Sequence, residues 1–450
     1  MGLRIGNGCG FWGDNVDAPI LLAEQGELDY LTLEYLAELT MSILALQRQR
    51  DSAAGFAGDF LDVLERLVPA LQRQPSLRII TNAGGMNPVG CAMKAKEILA
   101  RKGLATLPIA TVTGDDLMPR LDVLLGEGHA LYNLDNGSSL AGIRSRIVSA
   151  NAYLGAPPIV EALRLGARIV ITGRVADASL TVAPAVHRHG WQWNDWRRLS
   201  AATVAGHLIE CGAQATGGLW CHWQEASDLA NAGYPIAEIE ANGDFILTKP
   251  AGSGGAVNVE TVSEQLLYEV GDPSAYLTPD VVADFTSVRL SETGKDRVQV
   301  SEFHGKPATE SFKVSIAYRD GFTASGTLVV AGPNARQKAR LSGEMLLERL
   351  RRIGHSPENS YIECLGSGDS LPGVLPKTDS PEVVLRVAVR DSRRYVVERF
   401  AKEFAPLVTS GPPGITGYTT GRPAIREVFA YWPALLTKQA VQPIVQLLPT

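Results

Sequence analysis

Four stretches of the 450-residue chain set small residues and polar side chains where the flanking apolar pattern predicts a strand turning into a helix. The first, Gly8-Cys9-Gly10-Phe11-Trp12-Gly13, has the spacing GxGxxG. In a dinucleotide fold such glycines allow a tight turn and let the backbone approach a pyrophosphate at a helix N-terminus. An acid should end the next strand, and Glu34 stands near that place. The preceding strand is short and Pro19 interrupts the helix pattern, so a loop for another ligand, or a plain turn, is the stronger reading. Asp14 is either a polar group at a strand's carboxyl end, where open α/β sheets bind ligands, or, with Asp17, a helix cap.

The other three loops have the same build. Thr81-Asn82-Ala83-Gly84-Gly85 precedes a helix expected from Pro88. Thr172-Gly173-Arg174-Val175-Ala176-Asp177 offers a guanidinium for a carboxylate or phosphate, or else a simple Arg174–Asp177 pair. Lys249 and Gly252-Ser253-Gly254-Gly255 lead into a helix over 259–267, and free amides there would favour an anion unless the loop is only a turn. Asn133 to Gly137 reads as a turn as much as a site, with Asn136 as its candidate ligand residue. His207 and Glu210 share a helical face at i and i+3, a pairing suited to a general base. Cys211 would act as a nucleophile only if a cation lowered its pKa. Asp14, Asp177, His207 and Glu210 are therefore the candidate proton carriers. The anion-binding candidates are Gly8, Gly10, Gly13, Asn82, Gly84, Gly85, Asn136, Arg174, Lys249, Gly252, Ser253, Gly254 and Gly255.

The elements that must position these groups alternate between strand and helix over the first ~270 residues, as parallel βαβ units do. Strands are expected at Leu3–Ile5, Tyr30–Leu36, Leu77–Thr81, Leu107–Val112, Leu131–Leu134, Ala167–Thr172 and Phe245–Pro250. Helices are expected over 17–25, 38–48, 59–72 and 158–165. After about Asp272 the strands crowd together, at Val281–Leu290, Arg297–Val300, Ser311–Arg319, Gly326–Val330, Tyr361–Leu365 and Val383–Val389. Helices are expected at Gln337–Ile353 and Ser392–Ala405, and a Gly/Pro-rich loop at Ser410–Pro423. The pattern predicts an α/β domain over 1–275, a mainly parallel sheet with helices on both faces, followed by a smaller α+β domain over 276–450.

Composition narrows the classes. The apolar fraction of 45% and charged fraction of 20% are those of a globular chain, not a disordered one. A net charge of −6 with no basic stripe argues against nucleic acid as a partner. No apolar run reaches the ~18 residues of a membrane span, and the N-terminus lacks a secretory layout. Five scattered cysteines suit a reduced cytoplasmic setting, and no metal site is expected.

RIGNGCGFWGD, TNAGGMNP, ARIVITGRVADASL, GHLIECGAQATGG and KPAGSGGAVNVETVSEQLLYEV together resemble the acyclic terpene utilisation family AtuA. The resemblance runs from the N-terminus to about residue 290 and on toward 430. It implies a setting in bacterial degradation of citronellol and geraniol through branched acyl-CoA intermediates, and it carries no catalytic residues over. Three functions follow as expectations. The first is an enzyme on an acyl-CoA or carboxylated metabolite, a hydratase or lyase, with a coenzyme A thioester as possible substrate and no firm cofactor. The second is a NAD- or flavin-dependent oxidoreductase, and the third a non-catalytic subunit or ligand-binding scaffold. A homo-oligomer acting on a small molecule is expected.

Overall fold

The computed structural model describes residues 2–417 and 421–449, so the expected Ser410–Pro423 loop lies partly outside the described residues. In chain order the first strands are β1 (Leu3–Asn7), β2 (Tyr30–Leu33), β3 (Arg78–Thr81), β4 (Ile109–Thr113), β5 (Ile147–Ala152), β6 (Ile169–Thr172), β7 (Ile236–Ile239) and β8 (Phe245–Thr248). Five of them make a parallel centre in the order β1-β2-β3-β6-β4. Antiparallel strands extend it on both sides: β7 and β8, then Arg297–Ser301 and Arg289–Gly294, beyond β1, and Ile444–Leu447 beyond β4. The fold class is therefore α/β, as the alternating pattern predicts.

Parallel strands covered on both faces read as continuous apolar runs. Ile79 and Ile80 in β3, and Ile169, Val170 and Ile171 in β6, are all fully buried. Helix Asp59–Arg73 presents Phe60, Val63, Leu64, Leu67, Val68 and Leu71 to this core at helical spacing.

Two compact units result, one of Met1–Ala317 with Tyr431–Thr450 and one of Tyr318–Ala430. Strands after 275 add to the same sheet as β8, so the first unit extends past the position where the sequence character changes. The second unit has its own core. Leu328, Val330, Val383, Leu385 and Val387 from its strands meet Leu346, Leu350, Phe400 and Phe404 from its helices.

Four elements differ from expectation. Leu131–Leu134 is a loop, with the Leu131 carbonyl accepting from the Trp432 indole at 3.0 Å and Leu134 N donating to Pro433 O at 2.9 Å. Val281–Leu290 is broken by a 3₁₀ turn at Phe285–Ser287. Ser311–Arg319 and Gly326–Val330 are one strand, Ser311–Ala331, because the intervening Phe322 to Ser325 stay paired with the strand of Asp391 to Ala388. The helix expected at Ser392–Ala405 is two, Arg394–Ala401 and Phe404–Ser410.

Candidate active site

The carboxyl ends of the parallel strands gather the chemistry, as they do in open α/β sheets. Glu34 and Glu38 follow β2, Asn82 follows β3, Asp115 follows β4, and Arg174 and Asp177 follow β6. Tyr153 follows β5, and helix Trp196–Glu210 brings His207 and Glu210 in at its C-terminal end. Glu34, Glu38, Tyr153, Arg174, Asp177, His207 and Glu210, with Gly10 and Lys313, line one cavity of about 640 Å³.

Arg174 is the centre of this group, and its side chain is 2% exposed. A buried guanidinium is tolerable only when carboxylates and acceptors surround it. Nη1 lies 2.9 Å from Asp177 Oδ1 and 3.8 Å from Glu34 Oε1, and it donates to Leu36 O at 2.8 Å. The guanidinium carbon stacks 4.1 Å from the Tyr153 ring centroid. The backbone is pinned as well: Arg174 N donates to Asp115 Oδ2 at 2.8 Å, and Asn151 Nδ2 donates to the same oxygen at 2.9 Å. Residue 173 must be glycine for this approach, since a Cβ there would stand 2.3 Å from the Asp115 carboxylate.

Three carboxyls around the cavity are pushed toward their neutral forms. Burial raises Glu34 well above the usual carboxylate range and nearby Asp177 adds to it, against opposition from Arg174 and Asn82. Burial likewise raises Asp177 despite Arg174, and Glu210 despite His207. Close carboxyls in a poorly solvated space hold protons between them. Asn82 Nδ2 donates to Glu34 Oε1, and Leu36 N donates to the same oxygen at 2.9 Å. Glu34 Oε2, Glu210 Oε2, Arg174 Nε and His207 Nδ1 are buried without a hydrogen-bond partner. At the side of the cavity Glu38 is different. Burial opposes its ionisation, but Lys313 at 3.2 Å and the Tyr153 hydroxyl at 2.8 Å outweigh it and hold the carboxyl down to about 2.

Of the residues singled out in the sequence, Gly10, Arg174, Asp177, His207 and Glu210 meet at this cavity. Asn82 stands behind it, fully buried, as the holder of Glu34 and of Tyr35 N. Asp14 is not on its wall: it accepts from Gly10 N at 2.8 Å and from the Tyr234 hydroxyl at 2.6 Å, and so ties the first glycine loop. Gly8 packs on Pro19, and Gly13 makes the turn with φ +100°. The helix that follows starts only at Ala18, four residues beyond the turn at Asp14, so no helix N-terminus opens directly from the glycines. The geometry of a dinucleotide loop is not assembled.

Gly84 and Gly85 serve packing against Thr172 O and Leu44. Asn136 caps an exposed turn, accepting from Ser138 N at 2.9 Å. Lys249 is buried, donating to Ser253 O at 2.8 Å and pairing with Asp296 at 3.2 Å. The amides of Ser253, Gly254 and Gly255 are taken by Pro250 O, Asn231 O and Ser227 O. Gly252 makes the turn of that loop with φ +79°. This loop is a closed turn whose donors are spent internally, and an anion finds no cradle in it. The Cys211 thiol lines the cavity, but burial, with Glu210 adding, pushes it up to about 12, so it stays protonated. Glu38, Tyr153 and Lys313 were not singled out in the sequence, since no loop motif contains them. Among the described residues no group of three His, Cys, Asp or Glu is placed to hold a metal ion.

The model of the acyclic terpene utilisation family protein AtuA matches residues 3–447. The chain belongs to the AtuA family. Membership implies a role in acyclic terpene utilisation. No curated protein and no solved structure matches the chain. No described helix is long and apolar enough to cross a membrane.

Proposed function

We propose that this AtuA family protein is an acid–base enzyme that adds water to, or removes it from, an acyl substrate beside its carbonyl. The observation that carries the reading is a cavity around the buried Arg174 that sets Glu34, held toward neutrality by burial, beside Asp177 and a His207–Glu210 pair. Eliminating water needs a base for the proton next to the carbonyl, an acid for the departing hydroxyl, and a donor for the oxygen that gains charge.

The His207–Glu210 pair takes the carbon-bound proton. The freed electron pair forms the new double bond as the neighbouring C–O bond breaks. Glu34, kept protonated by burial, gives its proton to the leaving hydroxyl, which departs as water. Arg174, whose Nε is buried and unpartnered, supplies the donor to the carbonyl oxygen, and Asp177 holds Arg174 in place.

The cavity's charge supports an acyl portion rather than a nucleotide inside it. Five carboxyls, Glu34, Glu38, Asp177, Glu210 and Glu269, line it against Arg174 and Lys313, and those two cations are already paired. The phosphates of a coenzyme A thioester would remain outside.

A panel of branched 3-hydroxyacyl and 2-enoyl thioesters tests this. At least one pair should interconvert, with Glu34→Gln and Asp177→Asn slower by about 100-fold or more. An inert panel, or variants as fast as the wild type, would contradict the reading.

A further inference from the structure

The geometry points to Glu210, rather than the imidazole of His207, as the member of this pair that meets the substrate, with His207 a positioning residue acting through it. The inference rests on the acid–base reading above and assigns a role within it.

His207 is locked from three sides. Its Nε2 lies 2.9 Å from Gln265 O, and a carbonyl can only accept, so Nε2 carries the hydrogen. Gln265 returns the contact, its Nε2 donating to His207 O at 3.0 Å. The rings of Tyr276 and Phe285 stand edge-on at 5.5 and 5.2 Å between centroids, which bars the imidazole from turning over. One nitrogen, Nδ1, is left for chemistry, and it faces Glu210 Oε1 at 3.3 Å. The imidazole thus has no second nitrogen to offer a substrate. Glu210 does have a second atom: it lines the cavity, and its Oε2 is buried without a partner. When substrate reacts, the C–H bond breaks and the proton goes to the Glu210 carboxylate.

His207 sets how readily that carboxylate ionises. A protonated imidazole holds Glu210 charged, and a neutral one lets it keep a proton. Among the described residues the other titratable groups that face the pair are Asp177, Glu269, Cys211, Tyr268 and Tyr276. Burial lowers His207, but the neighbouring Glu210 carboxyl, with Gln265 O and Glu269, outweighs it and leaves its pKa raised.

Nitrogen-15 NMR of histidine-labelled protein tests this without any substrate, so its failure is separable from failure of the proposed reaction. The chain has seven histidines, and the His207→Gln spectrum identifies the signal. The neutral form of His207 should carry its hydrogen on Nε2. In Glu210→Gln its titration midpoint should fall by about one unit or more, because burial is then opposed by less. A hydrogen on Nδ1, or a midpoint indifferent to Glu210, would overturn the assignment. The wild-type tautomer decides even if the Glu210 variant does not fold.

Discussion

Asp115 shows how one side chain links the site to stability. It is 2% exposed, and burial, only partly opposed by hydrogen bonds from Arg174 N and Asn151, pushes its carboxyl up to about 7. In the unfolded chain the same group loses its proton near ~3.9. Between those values the folded state binds more protons, so stability falls as pH rises through the window. Glu34, Asp177 and Glu210 are raised as well and push in the same direction. Glu38, held down to about 2, acts oppositely: its contribution is present above ~4.3 and is lost as pH falls toward 2. In Asp115→Asn the titrating group is gone while a side-chain acceptor for Arg174 N is kept. Thermal melts from pH 5 to 7 should therefore show a shallower decline for the variant than for the wild type. An unchanged slope would mean that Asp115 is ionised throughout.

At the scale of elements, glycine has two uses in this chain that sequence spacing does not separate. In the loop after β8, a Cβ on Gly254 would lie 1.9 Å from Asp228 O, so the backbones touch. In the helix Leu121–Gly126, a Cβ on Gly126 would meet nothing within 4 Å. Gly254→Ala should cost roughly 1–3 kcal/mol or more, the usual cost of overpacking. Gly126→Ala should be neutral or stabilising by up to ~1 kcal/mol. Denaturant midpoints compare the two, and equal midpoints would refute the close approach.

This contrast also explains what could be read in advance. The strands β1, β3, β6 and β8 and the helices at 59–73 and 259–267 follow from apolar periodicity, which is a local property. The approach of Arg174 and Asp177 to the residues after the other parallel strands follows from strand ends facing one way, while His207 and Glu210 come in on the end of helix Trp196–Glu210. The spent amides at Gly254 and Gly255 do not follow in this way, because their acceptors, Asn231 O and Ser227 O, lie over twenty residues away. Lys313 and Tyr153 were hidden for the same reason. They reach the site from strands whose own sequence carries no motif, and only the paired sheet brings them to Glu38.

On the scale of the whole molecule, the site is a place where charge is withheld. The chain carries a net charge of −6, yet the cavity gathers carboxyls whose ionisation burial resists. Such groups are costly for folding, since a buried carboxyl without full compensation resists ionisation and lowers stability above its pKa. Proton transfer needs a donor that keeps its proton at neutral pH, and burial supplies one. The claim on which everything else rests is that at least one carboxyl of this cavity is protonated there. Infrared spectroscopy of the wild type and of Glu34→Gln at neutral pH measures it most directly, through the carbonyl stretch of an un-ionised carboxylic acid. The account predicts such a band in the wild type and a weaker one in Glu34→Gln, the difference being the share of Glu34. A wild-type spectrum showing only carboxylates at neutral pH would contradict it.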